Sequence, residues 1–167
     1  MPNVHQPLAN PSILKDVQIL VVDNDADSRY LCTVLFESYG ATVTTAEFID
    51  DAIALIERFT PDILICEIRF MDEDIWPLIR QIRAVSLSRN HIIPILVASA
   101  YCLANFAQDL IANAEAYLLK PVDIESLVDE VWNLVHLSKS SLQPHIQDWV
   151  VSHRTWQKHQ APEISLV

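Results

Sequence analysis

The sequence predicts an α/β fold: a doubly wound, five-stranded parallel sheet followed by a C-terminal helical extension. Three observations carry this. From Val17 onward, short continuous apolar runs alternate with segments of helical apolar spacing, the pattern of strands and helices built around a parallel sheet. Most of the runs are apolar throughout, as strands covered on both faces must be. Polar and charged groups then recur directly after these runs: Asp23, Asn24 and Asp25 after the first, Glu67 after the third, Ser99 after the fourth and Lys120 after the fifth. That is where open α/β sheets gather functional residues.

Taken in order, the strand candidates are Gln18 to Val22, Ala41 to Thr45, Ile63 to Cys66, Ile95 to Ala98 and Ala116 to Leu119. The second, ATVTTA, is more polar than the others and suits a sheet edge. Helices are predicted over Asp27 to Tyr39, Asp50 to Phe59, Ile75 to Ala84, Asn105 to Ala112 and Ile124 to Leu137. In the last, Ile124, Leu127, Val128, Val131, Trp132, Leu134 and Val135 share one face, with Glu125, Asp129 and Glu130 opposite. Asp123 is its expected N-cap.

Composition narrows the function. The 167 residues hold one glycine, Gly40, which excludes the glycine-rich loops that cradle nucleotide phosphates. A net charge of −11 opposes nucleic acid as a direct ligand. No basic start followed by an apolar run marks a signal peptide, and no stretch is long enough for a membrane helix. Cys32, Cys66 and Cys102 sit singly in apolar surroundings, as reduced core thiols of a cytoplasmic protein do. The histidines show no closed zinc-ligand pattern.

Three regions are expected: a flexible arm over 1–15, the α/β domain over 16–138, and a linker with an amphipathic tail over 139–167. Pro144 can open a tail helix in which Ile146, Trp149, Val150, His153 and Trp156 share a face. Packing back on the domain, a homodimer contact and a partner-binding arm are the roles open to it.

Taken together, ILVVDNDADSR, Gly40, PDILICEI, IPILVASA and AYLLKPVD, in this order and spacing over about 120 residues, resemble the receiver domain of bacterial two-component response regulators. The resemblance implies a flavodoxin-like sheet of strand order 2-1-3-4-5. It places Glu67 at the phospho-acceptor position, Asp23 and Asn24 with Glu67 at the Mg2+ site, and Ser99 and Lys120 at the phosphate contacts. Tyr117 falls at the aromatic switch position, and Lys120–Pro121 at a bond that is usually cis in that family. The implied partner is a histidine kinase or another signalling protein, docking on the fourth helix, fifth strand and last helix. No DNA-binding output domain is expected in the roughly 29 residues after the fold.

Two departures fall on the chemistry. Glu67 stands where the family has aspartate, which moves the carboxylate ~1.5 Å farther from the backbone; a misplacement of about 1 Å can cost roughly a hundredfold in rate. Asn24 supplies a neutral amide where the family has an acid, so the site holds a cation less firmly. Beside the acceptor, Phe70-Met71 and Asp74-Ile75 replace the family's Met-Pro and Asp-Gly. The expected function is therefore an atypical, non-enzymatic receiver, phosphotransfer-deficient or constitutively set, that signals by protein–protein interaction. Glu67 then either marks a decayed site or partly imitates a phosphoaspartate. Phosphorylation retained on Glu67 or Asp25 is an alternative. So is a haloacid-dehalogenase-like phosphatase with Asp23 as nucleophile, and, more distantly, a flavin-binding relative. Lys120 is expected to pair with Glu67 or Asp23, with Ser99 donating a hydrogen bond into the same pocket.

Overall fold

Strands buried on both faces need apolar residues at successive positions, and the sheet is made of such segments. The computed structural model describes residues 12–69, 74–100 and 113–140. Its strands are β1 (Gln18–Val22), β2 (Thr42–Ala46), β3 (Ile63–Cys66), β4 (Ile95–Ser99) and β5 (Ala116–Leu119), all parallel, in the order β2-β1-β3-β4-β5. The helices are α1 (Ala26–Ser38), α2 (Ile49–Arg58), α3 (Trp76–Ser88) and α4 (Ile124–Ser140). This is the predicted doubly wound, flavodoxin-like sheet. The segment predicted as a helix over Asn105 to Ala112, most of the acidic loop after β3 and the tail beyond Ser140 lie outside the described residues.

Alternation along each strand divides the core into two layers. Leu20, Val22, Leu64, Cys66, Ile95 and Val97 meet Ile49, Ala52 and Ile56 of α2 and Leu78, Ile79 and Ile82 of α3. Ile19, Val21, Ile63, Ile65, Leu96 and Ala98 meet Phe36 of α1 and Leu127, Val128, Val131, Leu134 and Val135 of α4. Strand β2 pairs only with β1 and is the more exposed, as its polarity predicts.

Several boundaries differ from the sequence reading. Leu14 is fully buried and its N–H donates to the Tyr39 carbonyl, so packing begins before Asp16. Strand β2 is shifted by one residue because Ala46, buried against the core, pairs with Val22. Helix α3 continues to Ser88 because Val85 and Ser86 still face inward, and the Ser86 hydroxyl accepts the Ile93 N–H at 3.2 Å. Asn90 then turns the chain with φ of 48°. On α4, Ile124 is exposed rather than part of the packed face, and Glu130 is partly buried, with Oε1 shielded from solvent and without a hydrogen-bond partner.

Gly40 ends α1 with φ of 90°, and its N–H donates to the Glu37 carbonyl while the Ala41 N–H donates to that of Phe36. A Cβ there would stand 3.4 Å from the Lys15 backbone. Gly40→Ala is expected to cost about 1 kcal/mol from the left-handed backbone alone. A lower urea midpoint at unchanged slope is the expected readout, and an unchanged midpoint would contradict it.

Candidate functional site

The strand register brings the candidate site residues level. Val22 pairs with Ala46 and Cys66, and Cys66 with Val97, so the residues that follow the strands emerge at one rim. The ladder runs one step further: Glu67 N–H donates to the Val22 carbonyl at 2.9 Å, Asp23 N–H to that of Ala46 at 3.2 Å, and Lys120 N–H to that of Ser99 at 2.7 Å. Asp23 and Glu67 are thereby fixed on neighbouring strands, with Lys120 reaching back from β5.

At the rim lies a cleft of about 470 Å³ lined by Asp23, Asn24, Asp25, Ser28, Glu67, Arg69, Ala100 and Lys120. The Lys120 ammonium sits 2.5 Å from Asp23 Oδ2 and 3.4 Å from Glu67 Oε2, and it also donates to the Ser28 hydroxyl at 3.3 Å. Asp23 and Glu67 are buried, at 5% and 6% exposure, and Lys120 bridges them. Burial, the largest single influence on Lys120, lowers its pKa; the hydrogen bond and charge of Asp23, followed by those of Glu67, outweigh it and raise the pKa above the ordinary lysine value.

The extra methylene of Glu67 is absorbed by curling the carboxylate back over its own loop. Oε1 accepts the N–H of Ile68 at 2.7 Å and that of Arg69 at 3.3 Å, leaving Oε2 toward Lys120. Asp23 is equally committed: Oδ1 accepts the Asp25 N–H at 2.8 Å, Oδ2 takes Lys120, and the backbone carbonyl accepts from Arg29 Nη1 at 2.7 Å. Asp25 is the N-cap of α1, accepting the Asp27 N–H at 3.2 Å and the Ser28 hydroxyl at 3.0 Å. The Ser28 hydrogen bond, then that of Asp27, lowers its pKa.

The arrangement joins Asp23, Glu67 and Lys120 directly and places Asn24 on the exposed lip of the cleft. Ser99 occupies the last position of β4, fully buried, while the next residue, Ala100, lines the cleft. Tyr117, partly buried, packs against the α2/α3 layer, and the Lys120–Pro121 bond is cis. All four carboxylate oxygens of Asp23 and Glu67 accept hydrogen bonds, and the cation between them is Lys120. Among the described residues, no three His, Cys, Asp or Glu side chains converge as a ligand set.

Sequence reasoning missed the polar anchor at the opposite end of the sheet. Glu115, just before β5 and 2% exposed, takes Arg83 Nη2 at 2.6 Å on Oε1 and the Ile95 N–H at 2.5 Å on Oε2. The same guanidinium donates to the carbonyls of Ile93 and Asn113. Burial is the main influence raising the Glu115 pKa, partly countered by Arg83. An acid inside the run AEAYLL was the available signal, but nothing in the sequence pairs it with Arg83.

Among the described residues, the thiols of Cys32 and Cys66 stand apart from this cluster, and Cys102 lies outside the described residues. Burial, then the charges of Glu67 and Asp23, pushes Cys66 far above the ordinary thiol value, and burial raises Cys32 to about 11. Neither thiol is expected to react with iodoacetamide in the native protein at pH 8, as mapped by peptide mass. Rapid labelling of Cys66 would contradict its buried position.

The response regulator receiver domain model matches residues 19–132. A protein from Leptolyngbya boryana, an uncharacterized 14.6 kDa protein in the sodA1 3' region, is 33% identical over 116 residues, which cover 69% of this chain and 87% of that one. The Regulator of RpoS of Escherichia coli K12 is 36% identical over 123 residues, covering 72% of this chain. The transcriptional regulatory protein ZraR of Salmonella typhimurium is 30% identical over 112 residues, 66% of this chain. The matched segments span 35% of Regulator of RpoS and 24% of ZraR. Among solved structures, a two-component response regulator from Clostridium difficile superposes with a TM-score of 0.62 at 25% identity, covering 75% of this chain and 99% of its own. The chemotaxis response regulator CheY4 of Vibrio cholerae gives 0.62 at 21%, covering 71% and 98%, and supports the fold. With the family matched over most of its length and its strand-end residues gathered at one rim, the chain belongs to the response regulator receiver domain family, the receiver modules of signal transduction.

Proposed function

We propose that this receiver does not accept a phosphoryl group on Glu67 and is instead held in one setting by the Asp23–Lys120–Glu67 ion-pair triad, signalling through protein contacts. The observation that carries the reading is the Glu67 carboxylate, folded back on the Ile68 and Arg69 amides with its other oxygen toward Lys120. An attacking carboxylate needs an oxygen free and aimed outward for in-line transfer, and both oxygens here are engaged. Receiver domains commonly bind Mg2+. In this chain the neutral Asn24 and the lysine-bridged carboxylates favour an ammonium at that point, so the triad itself supplies the positive charge. The partner class is a histidine kinase or another signalling protein.

Incubating the native chain with Mg2+ and acetyl phosphate, followed by intact mass, tests the proposal. An unmodified mass is expected, and a phosphoryl adduct on Glu67 would overturn it. An adduct mapping to Asp25 would overturn it equally, and Asp25 is the less suited because its carboxylate caps α1. The phosphatase alternative asks Asp23 to act as nucleophile, and its buried carboxylate already holds Lys120 and the Asp25 amide. Turnover of a phosphomonoester, abolished by Asp23→Asn, would favour that enzyme instead.

A further inference from the structure

Helix α1 is apolar on its outward side. Of its 13 residues only Phe36 is buried, while Tyr30, Leu31 and Val34 are 69%, 65% and 50% exposed. At 100° per residue these three share an arc of about 100° on the side away from Phe36. Large apolar side chains gathered on one exposed helix face form a surface suited to docking. Asp27 and Glu37 stand at the two ends of this stripe, so its cover must tolerate or complement negative charge.

We infer that the occupant is the chain's own C-terminal segment, Pro144 to Trp156. The described chain ends with α4 at Ser140, and the Lys139 ammonium lies 3.1 Å from Asp62 Oδ1, just before β3, which fixes the end of α4 at the N-terminal edge of the sheet. Helix α1 finishes at the same edge, where the Tyr39 carbonyl accepts the Leu14 N–H and β2 begins. Leu137, 43% exposed on the last turns of α4, extends apolar surface toward the point of departure. Residues 141–143 are a connection of the length usual between packed helices.

The segment that follows repeats apolar residues at Ile146, Trp149, Val150, His153 and Trp156. Thirteen residues in a helix span about 20 Å, the length of α1 itself. Running back along α1, the segment carries Arg154 toward Asp27, and its tryptophans over Tyr30, Leu31 and Val34. With Arg154 balancing Asp148, the segment carries no net charge in a chain of −11, so it can lie between the acids that flank the stripe without adding to their charge. The first turn of α1 also carries Ser28 and Arg29 to the site, so the covering segment adjoins the cleft.

Amide hydrogen exchange on the full chain, read together with light scattering, tests the inference. Peptides covering 144–156 and 27–34 are expected to exchange slowly in a monomer, with protection independent of protein concentration. In Leu31→Glu/Val34→Glu, whose sites point away from the core, peptide 144–156 is expected to exchange about tenfold faster while β1 and β3 stay protected. Trp149→Ala/Trp156→Ala is expected to expose peptide 27–34 in turn. Three results would overturn the inference: a segment 144–156 unprotected in the native chain, protection indifferent to the α1 substitutions, or a dimer whose dissociation on dilution exposes α1.

Discussion

Lys120→Met is expected to destabilise the domain by about 3 kcal/mol at pH 7, the lower end of what breaking a buried ion pair costs, because the Lys120 side chain keeps 25% exposure. The loss has two parts. Asp23 and Glu67 lose their shared cation, and two buried carboxylates are left on neighbouring strands with only backbone N–H groups to hold them. The pH dependence follows from the raised Lys120 pKa. A base whose folded pKa lies above its unfolded value of about 10.4 contributes its full stabilisation below that pH and loses it as pH rises through the folded value. The native chain should therefore lose this contribution only in strong alkali. Urea unfolding of both proteins at pH 7 measures the deficit, and equal stability of the two would remove the triad from the account.

Arg83→Met is expected to cost more, about 3–5 kcal/mol, because the partner it abandons is almost wholly buried. Glu115 would keep the Ile95 N–H but lose the guanidinium that offsets its burial. Its folded pKa, already raised, would rise further. For an acid with a raised folded pKa, the native state binds more protons than the unfolded chain. Stability then falls as pH climbs through the window between the ordinary glutamate value of about 4.3 and the folded value. The Arg83→Met deficit should be largest at neutral pH and smaller in acid. Adding Glu115→Gln keeps an acceptor for Ile95 and removes the stranded charge, so the double variant should recover most of the loss. A double variant no more stable than Arg83→Met alone would show that the arginine acts through the Ile93 and Asn113 carbonyls instead.

These two clusters show what the sequence made legible. The position of the cleft was legible because strand-end placement is a property of local pattern: an apolar run followed by Asp23, Glu67 or Lys120 needs no knowledge of the partner strand. The choice of Lys120 as the ion partner also followed, since its chemistry complements both acids at the same rim. What remained hidden depends on how side chains bend or meet over long separations. The curl of Glu67 onto the Ile68 and Arg69 amides is a rotamer choice, and the Arg83–Glu115 pair joins residues with no shared motif. Helical periodicity likewise assigned Glu130 to the water side of α4, although its Oε1 is enclosed and its pKa is raised by burial. It also gave no warning that Tyr30, Leu31 and Val34 face outward, because a helix with apolar residues on both sides has no dominant face.

The central claim is that Glu67 and Asn24 together keep this receiver from accepting a phosphoryl group. Glu67→Asp shortens the acceptor by one methylene, to the family's length, and Asn24→Asp restores a charged ligand for Mg2+. Intact mass after incubation with Mg2+ and acetyl phosphate, run side by side on the native chain and the double variant, reads both effects at once. The account predicts no adduct on the native chain and a phosphoryl adduct, mapped to position 67 and lost without Mg2+, on the variant. An adduct on the native chain, or none on a double variant that keeps its native stability, would contradict it.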